Sequence, residues 1–251
     1  MMFVFPMAGD SRRFREAGFG QAKFRLPLHG APLFDHAVRS FEAYFATDSF
    51  LFVVRDAADA DFVLQRCEHL GVDRAALTVL ERPTAGQAET VLLGLDEAMV
   101  DNSESIAIFN IDTFRPGYRK PARIGDHHCA GYLEVFRGTG DGWSFVAAHP
   151  SRPGVVAEVA EKKAISDLCC TGLYHFRCAG EYRWAYRHPT AAKSDAERRE
   201  RYVAPLYNPL IERGLRIGFE LIEPDEVIFC GTPAEYAQVL GSDEIGRRLR
   251  A

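Results

Sequence analysis

Apolar residues open the chain without a break. Met1–Met7 reads MMFVFPM, and then Ala8 and Gly9 give way to the charged stretch Asp10-Ser11-Arg12-Arg13-Phe14, which continues to Gln21-Ala22-Lys23. A short continuous apolar run bounded by turn signals predicts a buried strand of a parallel sheet. Further on, Leu33, Phe34, Ala37, Val38, Phe41 and Phe45 recur at helical spacing, with Pro32 suited to the first turn. Ser49–Val54 predicts a second strand. Ala57–Leu70 predicts a helix stopped by Gly71, Ala76–Glu81 a third strand, Gln87–Met99 a helix, and Ser105–Asn110 a fourth strand. This alternation predicts parallel βαβ units with right-handed crossovers.

The pattern then changes. Gly131–Phe136, Trp143–His149, Val155–Glu161 and Thr171–Arg177 are strand-like and close together, which predicts a mixed or antiparallel extension of the sheet. Glu181–Arg187 and Tyr202–Arg213 read as helices, the second ended by Gly214, and Leu215–Ile222 as a strand. Pro233–Leu240 and Ser242–Arg250 read as closing helices capped by Thr232 and Ser242. The polar stretch Lys193–Arg201 reads as a solvated helix or lid. The expectation is one α/β domain spanning 1–251, a mixed sheet flanked by helices.

Composition narrows the function classes. With 251 residues and 47% hydrophobic content the chain can build a full core. Net charge is −5 and no basic run occurs, which argues against a nucleic-acid binder but not against a small anionic ligand. No charged leader and no apolar stretch of membrane-spanning length is present, so a cytoplasmic protein with no membrane partner is expected. The six cysteines form no Cys-x-x-Cys pair and read as reduced thiols. Cys129 follows His127-His128, but no second ligand cluster supports zinc there.

Four groups could carry chemistry. Gly9, Arg12, Arg13 and Lys23 follow the first strand, where ligands bind in parallel sheets, and a glycine with three cations suits a triphosphate. The same residues also fit a solvated loop. No Gly-Lys-Ser/Thr and no Rossmann glycine triplet is present. In Thr84–Thr90, Gly86 permits close backbone approach and the Gln87 amide can pair with a base edge, although an ordinary strand-to-helix loop would look similar. Asp112 ends the fourth strand, where a carboxylate can hold Mg²⁺ beside phosphates or simply complete a turn. Glu161-Lys162-Lys163, with Thr171-Gly172, can hold the hydroxyls and phosphate of an acceptor, or form a charged turn.

Taken in order, these stretches resemble the bacterial sugar-nucleotidyltransferase family of nucleotide-diphospho-sugar transferase fold, which is Rossmann-like and GT-A-like. The resemblance spans about Phe3 to Leu240 and is nearest the capsule and lipopolysaccharide-precursor subgroup that includes cytidylyltransferases. It is carried by FPMAGDSRRFREAGF, by Lys23 with LPLHGAPL, by TAGQAETVL, by Asn110-Ile111-Asp112, by VAEVAEKKAISDLCCTGLYHF, and by ERYVAPLYNPLIERG and CGTPAEY. The resemblance implies a nucleotide-binding half, 1–115, and an acceptor-binding half, 116–251. Ala8 and Gly9 would hold the nucleotide, with Arg12 alongside. Arg13 and Lys23 would act on the triphosphate, Gly86 and Gln87 would sit by the base, and Asp112 would hold Mg²⁺. Glu161, Lys162 and Gly172 would contact the acceptor. The implied reaction joins CTP, UTP or dTTP to a phosphorylated sugar or small alcohol or amide, with release of pyrophosphate, for surface-polysaccharide precursors. A homo-oligomer is compatible with this.

The chain also departs from the family pattern. Ser11 stands where a second glycine is usual, Arg12 replaces a small residue, and Ala22 and Phe24 flank Lys23 where prolines are common. Phe229 and Cys230 occupy the stretch of a second metal aspartate, and Asp225 has no assigned place. These departures keep two alternatives open. One is a homologue that binds nucleotides without turnover. The other is a GT-A-type glycosyltransferase, for which the aspartates at 56, 59 and 61 would be the metal candidates.

Overall fold

The computed structural model describes residues 1–190 and 200–250. The first half runs β1 (Met2–Pro6), α1 (Arg12–Glu16), the hairpin β2 (Pro27–Leu28) and β3 (Ala31–Pro32), α2 (Leu33–Arg39), β4 (Ser49–Val54), α3 (Ala57–Leu70), β5 (Ala75–Val79), α4 (Gln87–Glu97) and β6 (Ile106–Phe109). Strand β1 pairs in parallel with β4 on one side and β6 on the other, and β5 extends the sheet beyond β4.

The apolar run of β1 is buried on both faces, and its period of two sorts the side chains. Phe3 and Phe5 share a face with Phe50, Phe52 and Phe109, packed against Phe34 and Phe41. Val4 shares the other with Leu51, Val53, Ile106 and Ile108, packed against Val91 and Leu95 of α4. One face is thus aromatic and the other aliphatic. The rings of Phe3 and Phe50, and of Phe5 and Phe52, stack at 5.1 Å. Each such fully buried side chain contributes about 1.5–3 kcal/mol. On the aliphatic face α4 approaches closely, since a Cβ at Gly94 would lie 2.3 Å from Val53.

The second half contains β7 (Thr113–Phe114), β8 (Gly131–Arg137), β9 (Ser144–Ala148), β10 (Val156–Glu161), β11 (Leu168–Phe176), α5 (Ala179–Arg187), α6 (Tyr207–Glu212), β12 (Ile217–Ile222), β13 (Ile228–Phe229), α7 (Pro233–Leu240) and α8 (Asp243–Arg248). Among the described residues the large sheet runs β10-β9-β11-β6-β1-β4-β5, with β8 and β12 branching from β11. Strand β11 is antiparallel to β6, β8 and β9, so the sheet is mixed. Its register with β8 shifts between Cys170 and Tyr174. Before that shift, at Cys169, β11 pairs with β9, and after it, over Leu173–Phe176, with β6. The sheet therefore forks at Thr171-Gly172, just beyond the carboxyl end of β6.

Three expectations need correction. The charged opening loop contains the short helix α1, anchored by buried Phe14 against Phe19 and Tyr236. The helix from Leu33 stops at Arg39 and only a 3-10 turn, Glu42–Tyr44, follows. There the Ser40 hydroxyl bonds back to the carbonyl of His36 and accepts the Arg115 amide, which draws the backbone out of the helix. The segment expected as one helix over Tyr202–Arg213 begins instead as a 3-10 turn, Ala204–Leu206, before α6. Pro209 has no N–H to bond the carbonyl four residues earlier, so the regular helix starts in the turn that contains it. Of the charged stretch Lys193–Arg201, residues 193–199 lie outside the described residues.

Candidate active site

The fork of the sheet opens into a cleft of about 950 Å³. Ala8, Gly9, Arg12, Arg13 and Lys23 border it from the opening loop, Gly86 and Gln87 from the start of α4, and Asp112 from the end of β6. Glu161, Lys162 and Gly172 close it from β10 and β11. Residues as far apart in sequence as Ala8 and Gly172 thus share one surface.

Each wall has a local cause. In the opening loop Ser11 adopts φ 48°, ψ 36°, the left-handed region, and its hydroxyl accepts the Lys23 amide at 3.3 Å. The serine that replaces a glycine therefore ties the start of the loop to its end. Arg12 is largely exposed and paired with Glu16 at 3.4 Å, so it lies at the rim, and Arg13 is the next residue of α1. On the floor, Lys23 Nζ meets Asp112 Oδ2 at 2.5 Å. The Asp112 carbonyl accepts the Cys230 amide at 2.8 Å, and a Cβ at Gly231 would come 2.9 Å from the Asp112 carboxylate. The glycine of the tail motif is thus what lets the chain pass this carboxylate.

Opposite, Gly86 has φ 119°, and a Cβ there would strike the Arg201 backbone at 2.7 Å. Gln87 donates its amide to Asn110 Oδ1 at 2.5 Å. Gly172, at φ 99°, lies over the same Asn110, whose Nδ2 would be 2.4 Å from an added Cβ. On the wall formed by β10 and β11, Glu161 accepts the hydroxyl of Ser144, and Lys162 donates to the phenol of Tyr202 while lying 4.4 Å over its ring. Lys162 itself has φ 53°, and its amide bonds the Trp143 carbonyl at 2.8 Å.

Burial shapes the chemistry around these groups. It pushes the Cys230 thiol up to about 12, reinforced by the charges of Asp112 and Glu235 and opposed by Lys23. The thiol therefore stays protonated beside the floor of the cleft. Burial, then the bond to Glu200, raises the Tyr202 phenol, which remains a neutral O–H that donates to Glu200 while accepting from Lys162.

Among the described residues no group of three or more His, Cys, Asp or Glu side chains could hold a metal. Mg²⁺ is commonly bound through one or two carboxylates plus substrate phosphates and water. A lone Asp112 facing a cationic loop fits that donor set. Phe229 stands opposite Thr113 in the β13–β7 pair with its ring 4.7 Å from Trp143, so an aromatic wall stands there in place of a second carboxylate. Asp225 lies in the turn Pro224–Glu226 and does not border the cleft. Of the alternative aspartates, Asp56 caps α3 by accepting the Asp59 amide and Asp59 pairs with Arg25 at 2.7 Å, and none of the three borders the cleft.

Arg55, Asn110, Trp143 and Tyr202 are among the lining residues to which the expectations above give no role. Arg55 directly follows β4 and pairs with Asp10, so its position beyond a strand end was a usable signal. Asn110 had the same signal after β6. Trp143 and Tyr202 reach the cleft only through long-range packing and had none.

No family profile and no curated protein matches the chain. Among solved structures, a nucleoside-diphosphate-sugar pyrophosphorylase from Vibrio cholerae RC9 is 49% identical, with 96% of this chain and 100% of that one covered, at a TM-score of 0.90. The inositol-1-phosphate CTP transferase from T. maritima is 14% identical over 99% and 94% of the two chains, at a TM-score of 0.73. A UTP-bound UGPase from Acinetobacter baumannii is 14% identical over 99% and 96%, at a TM-score of 0.66. The last two establish likeness of fold.

Proposed function

Because the chain belongs to the nucleoside-diphosphate-sugar pyrophosphorylase family of nucleotidyltransferases, we propose that its cleft joins a nucleoside triphosphate to a phosphorylated sugar or small alcohol or amide. CTP, UTP and dTTP are the candidate nucleotides, and surface-polysaccharide precursors the candidate products. The observation that carries this reading is the meeting of Lys23 and Asp112 at 2.5 Å, between the opening loop and the acceptor wall. A cation beside a carboxylate suits a triphosphate and the metal that accompanies it.

In this mechanism the backbone of Ala8 and Gly9 receives the nucleotide, Gly86 and Gln87 flank the base, and Arg12 and Arg13 attract the triphosphate from the rim. Asp112 would hold Mg²⁺, which supplies charge neutralisation on the phosphates. Lys162 holds the acceptor phosphate, Glu161 takes its hydroxyls, and Gly172 lets it approach the strand. A phosphate oxygen of the acceptor attacks the α-phosphorus, the bond to the bridging oxygen breaks, and pyrophosphate leaves. Lys23 neutralises the charge that builds on the leaving group. Such transfer needs in-line positioning and charge stabilisation rather than a covalent intermediate. The glycosyltransferase reading is less favoured, since Asp56 caps α3, Asp59 pairs with Arg25 and none of the three aspartates borders the cleft. A matrix of nucleoside triphosphates against phosphorylated acceptors, scored by pyrophosphate release, tests the proposal. At least one pair is expected to turn over with Mg²⁺. Tight nucleotide binding with no product across the matrix would favour the binding-only homologue.

A further inference from the structure

The segment Glu200–Tyr202 touches both walls of the cleft. The Arg201 amide donates to the Ala85 carbonyl at 2.6 Å, and the Arg201 carbonyl accepts the Ala88 amide at 2.9 Å. Two backbone bonds thus fasten the segment across the loop that carries Gly86 and Gln87. The contact depends on Gly86, whose missing side chain makes room for the Arg201 backbone. The Arg201 guanidinium is anchored separately, 4.4 Å over the ring of Tyr186 in α5. One residue on, Tyr202 reaches the opposite wall and receives Lys162 on its phenol oxygen and over its ring. Lys162 holds a left-handed backbone conformation at the end of β10, one that a side chain adopts only where its surroundings enforce it.

We propose that Tyr202 is the positioning residue for Lys162, and that the Arg201-Tyr202 strap couples the acceptor wall to the base loop, so that each substrate helps to set the site for the other. The phenol fixes one of the three N–H donors of the lysine and so orients the other two. The backbone bonds make the position of that phenol depend on the loop around Gly86. This rests on the transferase reading for the identity of the substrates, but not for the contact itself.

The test compares wild type, Tyr202→Phe and Gly86→Ala, with UTP and α-glucose 1-phosphate as probes. KM for each is taken from pyrophosphate release, and affinity for α-glucose 1-phosphate or inorganic phosphate from calorimetry. Tyr202→Phe keeps the ring and the backbone strap. It is expected to weaken the phosphorylated probe about tenfold in KM and Kd and to leave the KM for UTP within about twofold, a change equivalent to about 1.4 kcal/mol on one substrate. Gly86→Ala, although in the base loop, is expected to weaken both substrates. Equal effects of Tyr202→Phe on the two substrates, or none, would overturn the positioning role. Gly86→Ala acting on UTP alone would overturn the coupling. Absence of pyrophosphate from every nucleotide and acceptor counts against the transferase reading, while calorimetry still decides on Tyr202. Wild type that binds neither phosphorylated probe would overturn the role of Lys162 and with it this proposal.

Discussion

At Gly172 a φ of 99° and a neighbour 2.4 Å from any added Cβ make glycine the one residue that fits without displacement. An alanine there must push the Asn110 amide and so disturb its bond to Gln87. Gly172→Ala is expected to cost about 1–3 kcal/mol of stability, the scale of a residue forced into a sparsely populated conformation. It is also expected to lower kcat/KM about tenfold or more. Urea unfolding and steady-state assays read the two effects, and unchanged values in both would mean that the strand moves aside freely. Ser11 is the contrasting case. It tolerates the left-handed region, and its hydroxyl holds the Lys23 amide, so the departure from the family glycine carries its own compensation.

At the scale of elements, α7 brings the tail motif onto the floor of the cleft. Thr232 accepts the Glu235 amide at 3.2 Å while the Glu235 carboxylate accepts the Thr232 amide at 2.8 Å, a reciprocal cap that fixes the approach of Gly231 to Asp112. Thr232→Ala is expected to lower stability by about 1 kcal/mol in chemical denaturation. A larger loss of turnover than of stability would show that the cap acts through Asp112. The cap was legible in the sequence as Thr232-Pro233-Ala234-Glu235, as were the strands of the first half, because capping and apolar periodicity are local signals. The 3-10 turn before α6 was not, since its pattern remained helical while Pro209 removed a donor. Nor was the fork at Thr171-Gly172, where strand pairing decides which neighbour β11 takes.

For the whole molecule, the same division separates the eleven residues named from sequence from those found by geometry. Glycine, lysine and aspartate at strand ends announce themselves, because the carboxyl edge of a parallel sheet is where ligands bind. Tyr202 does not, because its partner Lys162 lies 40 residues away. Buried polar groups also set how the fold responds to acid. Burial, aided by the charge of Lys120, pushes His175 from 6.5 to about 3, and its ring bonds the Ser105 hydroxyl at 3.0 Å. The folded chain keeps this ring neutral while the unfolded chain protonates it below about 6.5. Its contribution is therefore full above that pH and is lost as pH falls toward 3, by at most about 1.4 kcal/mol per unit. His175→Gln removes this contribution, so the stability gap between wild type and variant is expected to narrow between pH 7 and pH 5 in urea titrations. A gap independent of pH would contradict the assignment.

In the proposed reaction one cleft transfers a nucleotidyl group using Lys23 and Asp112. The most direct measurement is Mg²⁺-dependent pyrophosphate release by wild type, Lys23→Ala and Asp112→Ala on the nucleotide and acceptor pair that the substrate matrix selects. Wild type is expected to turn over and each variant to lose about a hundredfold or more in kcat, on the scale of removing one charge-stabilising group from an active site. Full turnover by either variant would exclude these two residues from the reaction.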